Sequence, residues 1–559
     1  MGKRILLVFI IFLIGFIIVT VRLFFWQVTS FDFLKGIAES QTSSSLKIPA
    51  KRGQIFSSDG TPLVINQNAY LIYVEPNKID NVIKTAEILA KELDLSVSSV
   101  SAQIAQSKLM WLSIASKVEE DKVEAIKKAS LSGVGFLEEG KRFYPEASMA
   151  AHLLGFVGKN SKGDDQGYFG IEGYYDEQLR GKDGVLHQEE DALGNPILSG
   201  KLEKIPPVNG RDLYLTLDKT IQFIVERKLD EGIEKYGARG GTVIVLEPNT
   251  GSILAMASRS SYDPNAYSKY PSDYYKNPAV STSYEPGSTF KVLVTASAIN
   301  EGKLKQDEKF DEVGPVDIGG YTINTWNQKY HGLISVGQIL EYSSNVGMVF
   351  IGKKLGQDNL LKYINDLGFG TKTDIDLQEE ASFPLRPKNK WYEIDYATAS
   401  FGQGIAVTPL QMAKAVATIA NGGRLMKPFI VKTIKSGNGQ IVNIKPKIEK
   451  EVFKKETTLV ITEMMVDAID NGETRLIKPP GFRIAGKTGT AQIPIAGHYD
   501  AEKTIASFVG FAPVDNPKFV MLVSIREPTS SPWGSETAAP LFFAIAHELF
   551  SFLGVSPNQ

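Results

Sequence analysis

The spacing of apolar positions changes several times along the 559-residue chain, most sharply near the N-terminus. An uncharged apolar run extends from Ile5 to Val21, after two basic residues and before Arg22. This length is at the lower limit for a membrane span, and no small-residue cleavage site follows, as a signal peptide requires. We predict a single-pass anchor within residues 1–28, with a cleaved signal peptide as the alternative. The flanking charges predict that the remaining chain lies outside the cytoplasm, at the cytoplasmic (inner) membrane.

Residues 41–205 alternate between strand-like and helix-like patterns. The turn Asp59-Gly60 joins two short apolar stretches and predicts a hairpin. The stretch 79–106 has apolar residues at helical spacing. Because this region contains no cluster of nucleophile, base and anion-binding groups, we interpret it as an accessory or docking domain.

A second pattern begins at about residue 210 and continues to 555. Strand-like stretches come first, residues 285–425 are mostly helical and loop-rich, and strand-like stretches return from Phe482 onward. A closing helix is predicted after Pro540. This order predicts one sheet assembled from both ends of a domain, with helices packed on it. The predicted fold class is therefore an α/β multi-domain protein.

The composition narrows the possible functions. Hydrophobic residues make up 43% and charged residues 22% of the chain, as in ordinary globular proteins. A net charge of −2 gives no support for nucleic-acid binding. There is no cysteine, and the five histidines are scattered without ligand-like spacing, which argues against zinc or iron–sulfur sites.

A first candidate for chemistry is the stretch "YEPGSTFK", with Ser288 three residues before Lys291. No histidine lies within forty residues of this serine. On a helix the two side chains would share a face, and a buried lysine can lose its proton and act as a base. The same spacing recurs at Ser44 and Lys47, and taken alone the pattern favours a helix cap at Ser288.

Two further segments raise the same choice between chemistry and structure. Ser343 and Asn345 begin an apolar helical stretch, where they could relay a proton and hold a peptide carbonyl, or simply cap the helix. The stretch "KTGT", residues 487–490, reads as a strand whose glycine leaves room for another backbone. A peptide could lie along such an edge, with Lys487 attracting a carboxylate. The alternative is a solvated lysine on an edge strand.

Read in order, these segments resemble the Ser-x-x-Lys, Ser-x-Asn and Lys-Thr-Gly motifs of penicillin-binding proteins and serine β-lactamases. The resemblance covers nearly the whole chain and is to class B penicillin-binding proteins, the monofunctional transpeptidases. "RGQIFSSDGTPL" resembles the first motif of their N-terminal pedestal domain, although Ser57 and Ser58 stand where Asp-Arg is usual. "RFYPEASMAAHLLGFVG" and "GYFGIEGYYDEQLRGKDG" resemble later pedestal motifs, and "SSNVG" with "FGQGIAVTPLQ" is similar to the division-specific branch.

The resemblance implies a penicillin-binding transpeptidase domain with a central antiparallel sheet over residues 210–555, and a pedestal of the dimerisation type over 41–205. It implies that Ser288 is the acylated nucleophile and Lys291 the base that activates it. Ser343 and Asn345 would relay protons and hold the donor peptide.

The remaining implied residues lie on the predicted edge strand. Lys487 and Thr488 would bind the terminal carboxylate of the donor, and Gly489 would leave room for its backbone. The N–H groups of Ser288 and Thr490 would form the oxyanion hole.

The activity implied by the resemblance is peptidoglycan D,D-transpeptidation, which needs no metal or organic cofactor. D-alanine leaves a D-Ala-D-Ala stem peptide, and an amine of a neighbouring stem resolves the acyl-enzyme. Implied partners are stem peptides, β-lactams as inhibitors, the membrane, a SEDS-family glycan polymerase and other wall-synthesis proteins, with no nucleic acid. Alternatives are an elongation-specific transpeptidase, a D,D-carboxypeptidase or β-lactam-hydrolysing enzyme, and a non-catalytic scaffold.

Overall fold

The computed structural model of the protein describes residues 2–106, 109, 111–189, 202–495 and 498–557. The chain forms two compact units, each made of separate stretches. The first comprises residues 1–52 and 180–210, and the second comprises residues 53–179 and 211–559.

The first unit contains the apolar N-terminal segment. Helix Gly2–Phe24 continues into a π-helical turn, Phe25–Thr29, and this segment is long and apolar enough to cross a membrane. It includes the predicted apolar run. A second helix, Phe31–Thr42, follows, and an antiparallel sheet contains the strands Ser43–Ile48, Gly184–Glu189 and Leu202–Ile205. Lys47 on the first strand is exposed and forms an ion pair with Asp183 at 2.9 Å, so it has a structural partner.

The second unit begins with a seven-stranded sheet drawn from distant parts of the chain. Along the sheet the strands are Ile441–Asn443, Val431–Lys435, Asp212–Leu215, Ile55–Phe56, Pro62–Val74 and Leu112–Val118, with Val134–Phe143 also paired to Pro62–Val74. Ile55 pairs with Val64, which confirms the hairpin predicted at Asp59-Gly60. The buried hydroxyl of Ser57 donates to the Asp59 carboxylate and to Thr61 O, and so holds the turn.

Helices cover one part of this sheet. The predicted helical stretch forms two helices, Val82–Leu93 and Val97–Gln106, and Glu120–Lys128 packs beside them. The first helix ends because Asp94 adopts a left-handed conformation with φ of 58°. Shorter elements that follow are Ala151–Leu154, Phe156–Lys159, Asp165–Tyr168, Gly170–Tyr174 and Asp176–Arg180.

A five-stranded antiparallel sheet, which we call the central sheet, lies in the C-terminal part of the second unit. Its strands in spatial order are Ile253–Arg259, Gly240–Leu246, Phe519–Arg526, His498–Ala512 and Ala485–Ile495. The prediction of one sheet built from both ends of the domain is confirmed. Ala485–Ile495, the edge strand, pairs on one side only.

Helices pack on both faces of the central sheet because its strands are apolar on both faces. Lys219–Tyr236 and Ala538–Phe552 share one apolar core with the sheet. Lys291–Asn300 and Pro409–Ala420 belong to the core on the other face. The other helices are Pro278–Ser281, Val336–Glu341, Asn345–Leu355, Gln357–Asp366, Glu393–Ala399 and Lys455–Asp470.

Besides the ribbon formed by Phe156–Lys159 and Asp165–Tyr168, three more two-stranded ribbons and several short 3-10 turns complete the second unit. The ribbons are Lys309–Glu312 with Gly332–Ser335, Val316–Ile318 with Tyr321–Ile323, and Arg424–Met426 with Ile448–Glu451. The 3-10 turns are Pro76–Lys78, Pro264–Lys269, Ser272–Tyr274, Gly287–Phe290 and Lys388–Lys390.

Candidate functional site

Ser288 lies in the 3-10 turn Gly287–Phe290, directly before the helix Lys291–Asn300. Gly287 has a φ of 54°, a left-handed conformation that favours glycine. The side chain of Ser288 caps neither the turn nor the helix. The structure therefore contradicts the alternative of a helix-capping serine, and the half-buried hydroxyl is left for another role.

Lys291 is fully buried at the start of this helix. Its amine donates to Ser343 O at 2.6 Å, to Ser343 Oγ at 3.2 Å and to Asn345 Oδ1 at 2.8 Å. A protonated lysine has three N–H donors, enough for these three acceptors, whereas a neutral one has two N–H donors and a lone pair that can accept a proton. Within the described residues, the hydroxyl of Ser288 forms no hydrogen bond, so the predicted contact between this hydroxyl and the Lys291 amine, three residues later, is not a hydrogen bond in the structure.

The Ser343 to Asn345 segment shows how capping and acceptor roles are divided. The hydroxyl of Ser344 accepts from Gly347 N at 2.8 Å and caps the helix Asn345–Leu355. Ser343 instead has a φ of 54° and directs both its oxygens to Lys291. Ser344, which lies between the two predicted residues, therefore caps the helix. Ser343 and Asn345 are left to contact Lys291.

Lys487 on the edge strand is only 4% exposed, so it is not the solvated lysine of the alternative interpretation. Its amine has long contacts, 3.4 Å to Thr488 O and 3.3 Å to Thr488 Oγ1. The side of the edge strand that faces away from the sheet has no strand partner within the described residues. Such a strand can pair with an extended peptide.

Two glycines allow the Ser288 turn to pack against the edge strand. A Cβ on Gly489 would lie 2.8 Å from Thr289 Cγ2 and 3.1 Å from Pro286 O. A Cβ on Gly287 would lie 3.0 Å from Thr490 O. Contacts this short are essentially never tolerated by a real Cβ or require the neighbour to move. The structure thus brings all eight predicted site residues into one region, because the edge strand and the Lys291 cluster both adjoin this turn.

Burial lowers the pKa values of both lysines. It lowers the pKa of Lys291 well below its usual value, and the charge of Lys487 lowers it further. Burial also lowers the pKa of Lys487, to about 8, while the carboxylate of Glu473 opposes the shift of both pKa values. Neither lysine has a carboxylate within ion-pair distance in the described part of the chain. A lowered pKa favours the unprotonated form of Lys291, which is the form that a base requires.

Sequence reasoning missed two carboxylates near this pair. Glu341 and Glu473 line a small crevice together with Ser343, Lys487 and Thr474. Burial raises the pKa of Glu341. No spacing in the sequence links these acids to the motifs, because they come from the end of one helix and from a loop far along the chain.

Two tryptophans were also missed as site residues. The rings of Trp326 and Trp533 lie 5.1 Å apart between centroids. Gly534, next to the second tryptophan, donates its N–H to Thr490 Oγ1 at 3.0 Å. A Cβ at Gly534 would lie 2.3 Å from Gly489 O, so only glycine fits there. In the sequence, the glycine that follows the aromatic residue in "WGSE" was the available sign of this packing. The sequence did not show that Trp326 lies beside Trp533.

Metal binding finds no support in the described residues. Among residues 2–106, 109, 111–189, 202–495 and 498–557, no three histidine, aspartate or glutamate side chains are grouped to hold an ion. The chemical groups gathered at the site are serine and threonine hydroxyls, two buried amines, an amide, the carboxylates of Glu341 and Glu473, and backbone N–H groups.

Comparison with protein families gives two matches. Residues 241–547 match the penicillin binding protein transpeptidase domain, and residues 47–215 match the penicillin-binding protein dimerisation domain. All eight site residues and all of the central sheet except Gly240 lie in the first matched range.

Among curated proteins, stage V sporulation protein D of Bacillus subtilis is 35% identical, with an alignment covering all of this chain and 87% of that protein. Peptidoglycan D,D-transpeptidase FtsI of Escherichia coli is 30% identical, over 96% of this chain and 90% of that enzyme.

Solved structures agree with these matches. Penicillin binding protein 2X of Streptococcus thermophilus superposes with a TM-score of 0.76 at 26% identity, covering 91% of this chain and 80% of that one. Penicillin binding protein 3 of Mycobacterium tuberculosis, solved with aztreonam, superposes with a TM-score of 0.71 at 25% identity. The superposition covers 92% of this chain and 98% of that one. With both family domains present in order, this chain belongs to the class B penicillin-binding proteins, the family of serine-type peptidoglycan D,D-transpeptidases.

Proposed function

We propose that this D,D-transpeptidase cross-links stem peptides through an acyl-enzyme on Ser288, in septal wall synthesis. The observation that carries the acyl-enzyme proposal is the buried amine of Lys291, which has no carboxylate partner in the described residues and is held by Ser343 and Asn345 next to the Ser288 turn. A buried lysine with a lowered pKa is a competent base.

In the first step, neutral Lys291 takes the proton of the Ser288 hydroxyl. The Ser288 oxygen forms a bond to the carbonyl carbon of the penultimate D-alanine, and the C–N bond to the last D-alanine breaks. The leaving amine receives a proton from Lys291 by way of the Ser343 hydroxyl, whose oxygen lies 3.2 Å from the lysine amine. Lys291 is neutral again at the end of the step.

The edge strand orients the donor for this attack. The donor's terminal carboxylate lies at Lys487 and Thr488, and its carbonyl oxygen accepts from the N–H groups of Ser288 and Thr490, which act as an oxyanion hole. The donor then runs antiparallel to the edge strand, whose outer side is unpaired in the described residues.

The second step decides between transfer and hydrolysis. An amine of a neighbouring stem attacks the acyl carbon, Lys291 accepts its proton, and Ser288 recovers its own. A β-lactam acylates Ser288 in the first step and blocks the second. Hydrolysis, as in a D,D-carboxypeptidase, needs an activated water, and Glu341 and Glu473 are the carboxylates in the adjacent crevice. Mass analysis of products with and without an added D-amino acid separates the two outcomes, since transfer consumes the amine.

The cellular setting is part of the proposal. The apolar segment Gly2–Thr29 supports a single-pass anchor in the cytoplasmic membrane, with the bulk of the chain outside. We assign residues 41–205 to the pedestal and 210–555 to the transpeptidase domain, with a SEDS-family polymerase as partner of the former. Likeness to FtsI supports a septal role, while whole-chain likeness to stage V sporulation protein D supports sporulation-wall synthesis as a second candidate. Depletion gives filaments in the first case and defective spores in the second.

The acyl-enzyme is tested by labelling the detergent-solubilised full chain with a fluorescent penicillin. We expect Ser288→Ala to abolish the covalent label and Lys291→Ala to slow it strongly. Ser268→Ala, at an exposed serine outside the site, is the matched control and should label normally. Undiminished label in Ser288→Ala would overturn the assignment of the nucleophile.

A further inference from the structure

A cavity lies between two helices of the second unit, outside the candidate site. One wall is the helix Asn345–Leu355, which we call the Asn345 helix, and the other is Glu393–Ala399, the Glu393 helix. The ribbon strand Val316–Ile318 contributes one side chain. We call this cavity the helix pocket. Its volume is about 170 Å³, whereas well-packed interiors leave few spaces larger than a water molecule.

The inner part of the helix pocket is apolar. The side chains there are Ile318, Val349, Tyr396 and Ala397, and each is at most 9% exposed. An apolar cavity of about 150 Å³ can hold a ligand the size of benzene. The helix pocket therefore has room for one apolar group about as large as a leucine or phenylalanine side chain, and it is too small for most drug-sized ligands.

Two opposite charges lie at the rim of the helix pocket. Lys353 and Glu393 are exposed lining residues, one on each wall. Within the described residues neither forms an ion pair, and the two lie beyond ion-pair distance of each other. By contrast, the adjacent Lys354 is paired with Glu308 at 3.0 Å. The rim thus offers one positive and one negative group to a bound molecule.

This combination favours a small zwitterion with one apolar group. The carboxylate of an α-amino acid would face the Lys353 amine, its ammonium group would face the Glu393 carboxylate, and its side chain would fill the apolar interior. A purely apolar ligand would use neither charge, and a ligand with a single charge would meet one like charge at the rim. Free amino acids with branched or aromatic apolar side chains fit all three features.

The Asn345 helix connects the helix pocket to the candidate site. Asn345, Val349 and Gly352 are spaced by four and three residues, so they lie on one face of the helix. Val349 and Gly352 line the pocket, while the Asn345 side chain accepts from the Lys291 amine at 2.8 Å. A ligand that packs against this face is therefore about one helical turn away from a group that holds Lys291.

The Glu393 helix leads to the turn that carries Ser288. The helix ends at Ala399, and Gly402 follows three residues later. The carbonyl of Gly402 accepts from Gly287 N at 3.0 Å. A Cβ at Gly402 would lie 2.2 Å from Gly287 O, so the two backbones are in close contact. A displacement of the Glu393 helix therefore acts on the residue that precedes Ser288.

The two walls are in contact beside the helix pocket. A Cβ at Gly352 would lie 2.8 Å from Cβ of Ser400, the residue after the Glu393 helix, so glycine allows this close approach. Packed elements shift between discrete arrangements and do not deform smoothly. A side chain inserted next to this contact would push the walls apart and increase the separation between Asn345 and the backbone at Gly402.

We propose that the helix pocket is a regulatory site for a free apolar α-amino acid, which separates the two walls when it binds and slows the acylation of Ser288. Binding at this pocket goes beyond the proposed function. Its effect on acylation rests on the roles proposed for Ser288, Lys291 and Asn345. The amino acid shifts the protein toward the separated arrangement because it binds that arrangement more tightly.

Binding is tested by calorimetry on the detergent-solubilised full chain, with L-leucine as the probe and no penicillin present. We expect saturable binding about tenfold tighter than that of glycine, because the leucine side chain becomes buried. Leucinamide lacks the carboxylate and N-acetyl-leucine lacks the ammonium group, so each should bind about two- to fivefold more weakly than leucine, the range of an exposed ion pair. Absence of saturable binding, or equal binding of leucine and glycine, overturns the inference.

Variants of the lining locate the bound amino acid. Lys353→Ala and Glu393→Gln, at exposed positions, should each weaken leucine binding about two- to fivefold. Lys353→Ala should not weaken the binding of leucinamide. Lys354→Ala is the matched control and should bind leucine normally. Ala397→Leu fills the pocket and should abolish binding, and the two exposed variants decide the outcome if it does not fold. Unchanged leucine binding in Lys353→Ala and Glu393→Gln contradicts the assignment.

The regulatory effect is measured as the rate of acylation by a fluorescent penicillin with and without saturating L-leucine. We expect leucine to slow the wild type about fivefold, the lower end of typical allosteric couplings. The double variant Lys353→Ala/Glu393→Gln should need a higher leucine concentration for half of this effect. A rate independent of leucine overturns the inference. Loss of penicillin labelling without leucine would instead count against the proposed function, and leucine binding is measured independently of it.

Discussion

The region of residues 53–179 and the candidate site both bury a cation, but they balance its charge differently. Arg142 donates to Glu172 at 2.6 Å, to Gly53 O at 2.7 Å and to Asn66 Oδ1 at 2.9 Å. Its partner carboxylate is fully buried. Lys291 is just as buried, yet its acceptors are neutral oxygens, and the charge with the largest effect on its pKa, Lys487, is of the same sign.

The difference shows what each charge is for. A buried ion pair with good geometry keeps both partners charged and ties distant segments together. A buried amine without a carboxylate is pushed toward its neutral form, which stabilises nothing but supplies a base. The Arg142–Glu172 pair is thus typical of a structural ion pair, whereas the two lysines suit the roles that we propose for them in catalysis and donor binding. Four predictions test this contrast.

The largest effect is expected at Lys291. Lys291→Met should lower the rate of acylation by penicillin about 10³- to 10⁴-fold, since a general base contributes up to that amount. The thermal midpoint should stay close to that of the wild type, because no opposite charge is left buried. Stopped-flow acylation and calorimetry of the same preparation measure both. A variant that acylates normally, or that unfolds, contradicts the functional assignment of this lysine.

Glu172→Gln should have the opposite signature. Leaving Arg142 buried without a carboxylate costs about 3–5 kcal/mol of unfolding free energy, while the acylation rate of the folded fraction should be unchanged. Urea unfolding measures the first quantity and penicillin labelling the second. Glu177→Gln, at an exposed glutamate on the same segment, is the control and should be neutral. Full stability of Glu172→Gln would remove the contrast between the two regions.

The pH dependence of acylation should reflect both lysines. The rate should rise with pH as Lys291, whose pKa is lowered, loses its proton and becomes a base. It should fall again near pH 8, where Lys487 loses the charge that binds the carboxylate. Because the two lysines interact, the apparent pKa values of the rising and falling limbs belong to the pair and not to either lysine alone. A penicillin ester, which has no carboxylate, should lose the falling limb, and its persistence there would contradict the role of Lys487.

The smallest effect is expected at Glu473. Its carboxylate raises the pKa of both lysines, so Glu473→Gln should move the falling limb to lower pH. The shift should be small because Glu473 is exposed to water, which screens its charge. The rate below the limb should hardly change. A shift of the falling limb to higher pH would contradict this prediction, because it would mean that the Glu473 carboxylate does not raise the pKa of Lys487.

The arrangement of strands at both ends of the C-terminal domain could be predicted from sequence because long apolar strands and a helical middle have few packing solutions. Local features could also be predicted: the hairpin at Asp59-Gly60 and the helical character of residues 79–106, although the break between the two helices at Asp94 was not predicted. The contribution of Val431–Lys435 and Asp212–Leu215 to the sheet around Ile55 could not be predicted, since pairing between distant short strands leaves no periodic signal.

At the site, the motifs identified the residues and the structure supplied what surrounds them. That Ser344 rather than Ser343 caps its helix depends on the left-handed backbone at Ser343, which no propensity predicts for serine. The burial of Lys487 also depends on tertiary packing, because an edge-strand lysine is usually solvated. Neither Glu473 nor the two tryptophans belong to a motif, so only folding brings them to the site.

The seven-stranded sheet of the second unit has a consequence for biogenesis. Its strand at residues 212–215, which pairs with Ile55–Phe56 on one side, emerges long before its other neighbour at 431–435. If the chain is delivered across a membrane from its N-terminus, the early strand must wait with one edge unpaired, and unpaired edges attract other chains and proteases. Export speed and chaperones at the membrane surface should therefore set the yield of active enzyme, and premature termination before residue 431 should leave a fragment that is degraded.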